Sequence, residues 1–128
     1  MIKQTDSRFL DTSVWLSYYL AESETAKTAI ESEHMLFTSV LSLFELRRKL
    51  LKMQYTTEQI DGFVDFVINR ATIAGISPDT ASMAAELSVK HVLGAMDALL
   101  LASARSSGHT FLTFDKDFKN LKDVEVIR

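Results

Sequence analysis

Short apolar runs alternate along the chain with longer stretches in which apolar residues recur every three or four positions. The short runs read as strands: RFLD (residues 8–11), HMLFTS (34–39), a weaker TIAGIS (72–77), HTFLTF (109–114) and VEVI (124–127). The longer stretches read as helices: TSVWLSYYL (12–20), ESETAKTAIESE (22–33), SVLSLFELRRKLLKM (39–53), TTEQIDGFVDFVINRA (56–71), DTASMAAELSVKH (79–91) and AMDALLLASARS (95–106). A shorter helix is expected over DKDFKNL (115–121). Leu43, Leu46 and Leu50 form the stripe of the helix over 39–53, and Phe63, Val64, Val67 and Ile68 the inner face of the next. After Pro78, Asp79 is the expected N-cap; Gly94 starts and Gly108 ends the helix over 95–106. Strands alternating with helices predict an α/β protein: a parallel sheet covered on both faces.

Composition narrows this picture. The 128 residues suffice for one domain, read as spanning residues 1–128, and nearly half are apolar, which predicts a globular core. There is no cysteine, which excludes disulfides, zinc–thiolate sites and cysteine nucleophiles and suits a reducing compartment. The opening MIKQTDSRF has no apolar core of signal-peptide length, and no stretch is long enough to span a bilayer. The expectation is a cytoplasmic protein with no membrane partner. A net charge of −3 excludes a protein that grips nucleic acid by charge alone. A polyanion can still approach if cations sit on the carboxylates.

Two of the predicted strands end in aspartate, Asp11 and Asp115. In open parallel sheets chemistry gathers beyond the carboxyl ends of strands, where strand order reverses, so neighbouring strands would bring the two together. Asp97 interrupts an apolar helix with no Lys or Arg for several residues on either side. Its place in the first helical turn contributes roughly 0.3–1 kcal/mol at an exposed site, less than an unpartnered buried charge costs. Glu45 lies between Phe44 and Leu46. Each acid also has an ordinary reading: Asp11 as an N-cap, Glu45 in a capping box with Ser42 or paired with Arg48 or Lys49, and Asp115 and Asp117 in an Asx turn. If the four acids Asp11, Glu45, Asp97 and Asp115 converge, their repulsion calls for a cation, and an all-oxygen donor set suits Mg²⁺ or Mn²⁺.

The ordered set FLDTSVW, SLFELRRKL, GAMDALLLASA and FLTFDKDF resembles the PIN-domain family over essentially the whole chain. Within that family it resembles the ribonuclease toxins of VapC-type toxin–antitoxin systems. The resemblance implies a three-layer α/β/α fold with a five-stranded parallel sheet and a metal-dependent endoribonuclease. Its catalytic acids would be Asp11, Glu45, Asp97 and Asp115, with Asp11, Asp97 and Asp115 on Mg²⁺ or Mn²⁺. Thr12, Ser13, Thr113 and Asp117 would support them. It further implies an RNA substrate, a cognate antitoxin and a homodimer. The chain departs from the family pattern in its polar approach to the first strand, and in LGAM before Asp97, where Gly94 replaces a hydroxyl cap.

Arg47, Arg48, Lys49 and Lys52 follow Glu45 and are candidate RNA phosphate contacts, or else a solvated face. His34, His91 and His109 are read as surface or cap residues. SVWLSYYL and the helix over 56–71 carry more large apolar residues than two small helices bury, which predicts an interface. Two rival functions remain. The DxD of FDKDF suits an aspartate-based, Mg²⁺-dependent phosphotransferase, although little chain follows it. A non-catalytic PIN-like binding module is the other.

Overall fold

A computed structural model describes residues 7–128. The polar approach over residues 3–6 lies outside the described residues, as does most of the MIKQTDSRF start. The elements run β1 (Arg8–Leu10), α1 (Thr12–Tyr19), α2 (Glu24–Ile30), β2 (Leu36–Ser39), α3 (Val40–Lys52), α4 (Thr57–Arg70), β3 (Thr72–Ala74), α5 (Pro78–His91), α6 (Ala95–Ser107), β4 (Thr110–Thr113) and β5 (Val124–Val126). All five strands are parallel, in the order β3-β2-β1-β4-β5. Strand order therefore reverses between β1 and β4, the two strands that end at Asp11 and lead to Asp115.

Side-chain alternation divides the strands between two cores. Phe9, Phe37 and Phe111, which share a register across β1, β2 and β4, turn toward α5 and α6. Leu10, Leu36 and Leu112 turn the other way, into a core with Val14, Trp15, Ile30, Leu46, Leu50, Ile60 and Val67 from α1–α4. The central strands are buried on both faces, so they read as apolar runs. Trp15 is fully buried and donates from Nε1 to Thr38 Oγ1 (3.1 Å), which donates in turn to the Leu10 carbonyl (2.8 Å). This chain of bonds clamps α1 across β1 and β2.

Several local expectations are revised. The N-cap of α5 is Ser77, whose hydroxyl accepts from Thr80 N, and Pro78 takes the first helical position; Asp79 is an exposed first-turn residue. Proline's missing N–H costs nothing there, so the residue before it becomes the cap. Ile68 is 45% exposed rather than inward, and Ile60 fills the inner face instead. The helix expected over 22–33 is the shorter α2. Arg70 of α4 donates to the carbonyls of Ile30, Ser32 and His34, holding the turn that replaces its last residues. The helix expected over 115–121 is one 3-10 turn, Lys116–Phe118.

Candidate active site

The junction of β1 and α1 sets the first acid. Asp11 is the N-cap of α1, and its Oδ1 accepts from Thr12 N at 2.8 Å. Its Oδ2 accepts from Ser13 Oγ at 2.9 Å and from Thr113 Oγ1 at 2.7 Å. Asp11 is only 7% exposed, and burial raises its pKa above the ordinary range. The hydroxyls of Thr113 and Ser13 oppose that rise, while the nearby charge of Glu45 adds to it.

Two further strands of bonding leave this corner. Thr12 Oγ1 donates to Glu45 Oε1 at 2.7 Å, bringing α3 to the site. Ser39, not Ser42, caps α3, so Glu45 stands inside the helix and the capping-box reading of Glu45 falls. On the β4 side, Asp115 N donates to Thr113 Oγ1 at 3.0 Å, and Asp115 Oδ1 accepts from Asp117 N at 2.9 Å. The Asx-turn reading of Asp115 and Asp117 is correct, and that turn stands at the end of β4, beside Asp11.

Asp97 enters from the first turn of α6, whose N-cap Gly94 offers no side chain. It is half-buried, and its pKa is pushed up to about 6, first by burial, then by the charges of Asp11, Asp115, Glu45 and Asp117. The acids singled out in the sequence thus converge on one corner. One turn before Glu45, the Ser42 hydroxyl is wholly buried with no hydrogen-bond partner among the described residues.

The donor set consists of carboxylates and hydroxyls, the chemistry of a hard divalent cation. Among the described residues no three acidic or histidine side chains already stand at the spacing of a metal cage. Mg²⁺ keeps several waters and uses one or two carboxylates directly, so an open acidic corner fits it better than a closed cage. His34 and His109 precede β2 and β4, at the opposite edge of the sheet; His109 stacks on Phe37 and meets Ser7.

The four basic residues of α3 part company. Arg47 is paired with Asp61 of α4 at 2.8 Å. Arg47, Arg48 and Lys52 rim an apolar groove with Val40, Leu43, Phe44 and Leu51. Lys49 lines a different cleft, with Ser13 and Phe114.

A family model for the PIN domain matches residues 8–124, and the chain belongs to that family. Its fold is shared by solved structures at low sequence identity. The VapBC2 complex of Rickettsia felis, bound to a DNA fragment from its promoter, superposes with a TM-score of 0.78 at 19% identity, covering 93% of this chain and 97% of that one. A toxin–antitoxin complex from Klebsiella pneumoniae gives 0.75 at 21%, covering 92% and 95%. VapC20 of Mycobacterium tuberculosis, a sarcin-ricin loop cleaving toxin, gives 0.72 at 23%, covering 94% and 99%. No curated protein matches the chain significantly. No helix among the described residues is long and apolar enough to cross a membrane.

Proposed function

We propose that the chain is a metal-dependent endoribonuclease and the toxin half of a toxin–antitoxin pair, acting in the cytoplasm. The observation that carries this reading is the convergence of negative charge on Asp97 from Asp11, Asp115, Glu45 and Asp117, with hydroxyls as their bonded neighbours. Membership of the PIN family and a fold shared with toxin–antitoxin complexes support it.

Asp11, Asp97 and Asp115 are the residues that would hold Mg²⁺ or Mn²⁺, with Asp117 fixing Asp115 through its backbone N–H. Once bound, the ion supplies Lewis acidity toward a phosphate oxygen and lowers the pKa of water. The chain's own residues supply position. Thr113 and Ser13 fix the Asp11 carboxylate, and Thr113 also receives the Asp115 N–H, so one hydroxyl aligns two acids. Thr12 holds one oxygen of Glu45, leaving the other to orient an attacking water and accept its proton.

A partner protein and a homodimer belong to the same reading. Exposed Phe44, Leu51, Phe66 and Ile68 on α3 and α4 offer apolar area for both. Trp15 of α1, by contrast, is spent on the chain's own core.

The test is incubation of purified protein with labelled single-stranded RNA in Mn²⁺ and then in excess EDTA. Cleavage in Mn²⁺ that stops in EDTA supports the reading; equal cleavage in both sinks it. RNA bound but never cut would identify a binding module. A phosphorylated aspartate after incubation with a phosphoryl donor would identify the phosphotransferase.

A further inference from the structure

Phe114 stands between Thr113, which holds Asp11, and Asp115, and it is a wall shared by two open clefts. One cleft, of about 600 Å³, begins at Ser13 beside Asp11 and carries Lys49 and Arg128. The other, of about 710 Å³, carries Lys116, Lys119 and again Arg128. None of these four cations is in an ion pair among the described residues, where the one pair found is Arg47–Asp61. Glu22 and Glu24 also line the first cleft and match its two cations in number, whereas the second cleft carries three cations and no acid. A chain of net charge −3 therefore gathers unpaired cations around a half-buried aromatic ring next to its acids.

We propose that this crescent — Lys49, Arg128, Lys116 and Lys119 around Phe114 — is the docking track for single-stranded RNA flanking the scissile phosphate. Cations along a groove bind successive phosphates, and an aromatic face stacks a base without demanding a sequence, the combination that suits a single strand. The track also answers an electrostatic problem: the acidic corner repels a polyanion, so affinity has to come from beside it. The proposal rests on the ribonuclease reading for its substrate and narrows the candidate phosphate contacts of α3, which were Arg47, Arg48, Lys49 and Lys52, to Lys49.

The experiment measures binding of a fluorescent single-stranded RNA by anisotropy at several salt concentrations, in EDTA so that metal-dependent cleavage does not occur. Lys49→Gln, Arg128→Gln and the pair Lys116→Gln/Lys119→Gln should each weaken binding. Each lost contact should flatten the log–log salt dependence by about 0.7. Phe114→Leu, which keeps apolar packing and removes the stacking face, should weaken binding about ten-fold with the salt slope unchanged. The pair Arg48→Gln/Lys52→Gln should bind as wild type. Wild-type binding and slope in the crescent variants, or an equal loss in the Arg48/Lys52 pair, would overturn the track. A wild type that binds through the crescent yet cuts no RNA in Mn²⁺ would leave the track standing and overturn the ribonuclease reading instead.

Discussion

The Asp11 corner and the start of α6 treat an aspartate in opposite ways. Asp11 is nearly sealed from solvent and receives one amide and two hydroxyl hydrogen bonds. Asp97 is more open, stands behind a glycine cap, and has four acidic neighbours raising its pKa. The first carboxylate is built into the fold: it caps α1 and ties β1 to β4. The second is a charge that the fold places without compensating. Donors stabilise a buried carboxylate, whereas like charges destabilise it, so replacing the two residues should have opposite effects on stability and the same effect on activity.

The largest expected effect is on cleavage. Asp97→Asn keeps size and hydrogen-bonding capacity but removes one charge, and activity should fall on the order of 10³-fold, as when one charge-stabilising group is removed. The same variant should lose most of the rise in melting temperature that Mn²⁺ gives wild type, because an ion that binds only the folded state stabilises it. Full activity, or an undiminished response to Mn²⁺, would break the assignment of Asp97.

Next in size is the cost of losing Asp11. Asp11→Ala strands the Thr12 amide and the Thr113 hydroxyl in a buried corner and removes the cap of α1. Denaturant melts in EDTA should show a loss of about 2 kcal/mol. A variant as stable as wild type would mean that Asp11, like Asp97, is merely tolerated.

A smaller effect follows from pH. With no metal present, Asp97 holds its proton in the folded state up to about pH 6, while in the unfolded chain it ionises near its ordinary value. Below the unfolded value both states are protonated and the stabilising contribution is complete; it is lost as pH rises through about 6. The advantage of Asp97→Asn over wild type in EDTA should therefore grow from near zero at low pH to a plateau above neutrality. Because the group is partly exposed, solvent screening discounts the plateau to about 1 kcal/mol. Melts across that range check it; an advantage that shrinks with rising pH has the wrong sign for an uncompensated charge.

These contrasts also show what could be read before the structure. The α/β class was legible because strands and helices differ in period, and the acids were legible because each sits where an apolar segment ends or is interrupted. Hydrogen-bond partners were less so. That Thr113 serves Asp11 and Asp115 together depends on β1 and β4 being neighbours in register. Charge along α3 alone does not reveal the cations near Phe114, because Lys49 lines one cleft and Lys116 and Lys119 the other, and only Phe114 and Arg128 belong to both. Helical phase alone points Ile68 inward; α4 lies beside β3, an edge strand, which leaves its outer side uncovered. Ser77 and Asp79 are both good caps on either side of Pro78, and proline's preference for the first helical position chose between them.

The smallest expected effect tests whether the α3 side of the site follows the Asp11 pattern or the Asp97 pattern. Ser42 is fully buried, one turn from Glu45, and its hydroxyl has no partner among the described residues. Burying an unbonded hydroxyl costs roughly 1–3 kcal/mol, and removing one oxygen leaves only a small void whose cost offsets part of the gain. Ser42→Ala should therefore leave stability unchanged or raise it by up to about 1 kcal/mol. Ser42→Val, which restores volume without the hydroxyl, separates the two contributions, since added bulk in a packed site costs about 1–3 kcal/mol unless space exists for it. If Ser42→Ala instead loses more than about 1 kcal/mol in EDTA, its hydroxyl is bonded in solution through an ordered water. The α3 side would then be as fully hydrogen-bonded as the Asp11 corner, and Asp97 would stand apart as the acid of the site with no bonded donor among the described residues.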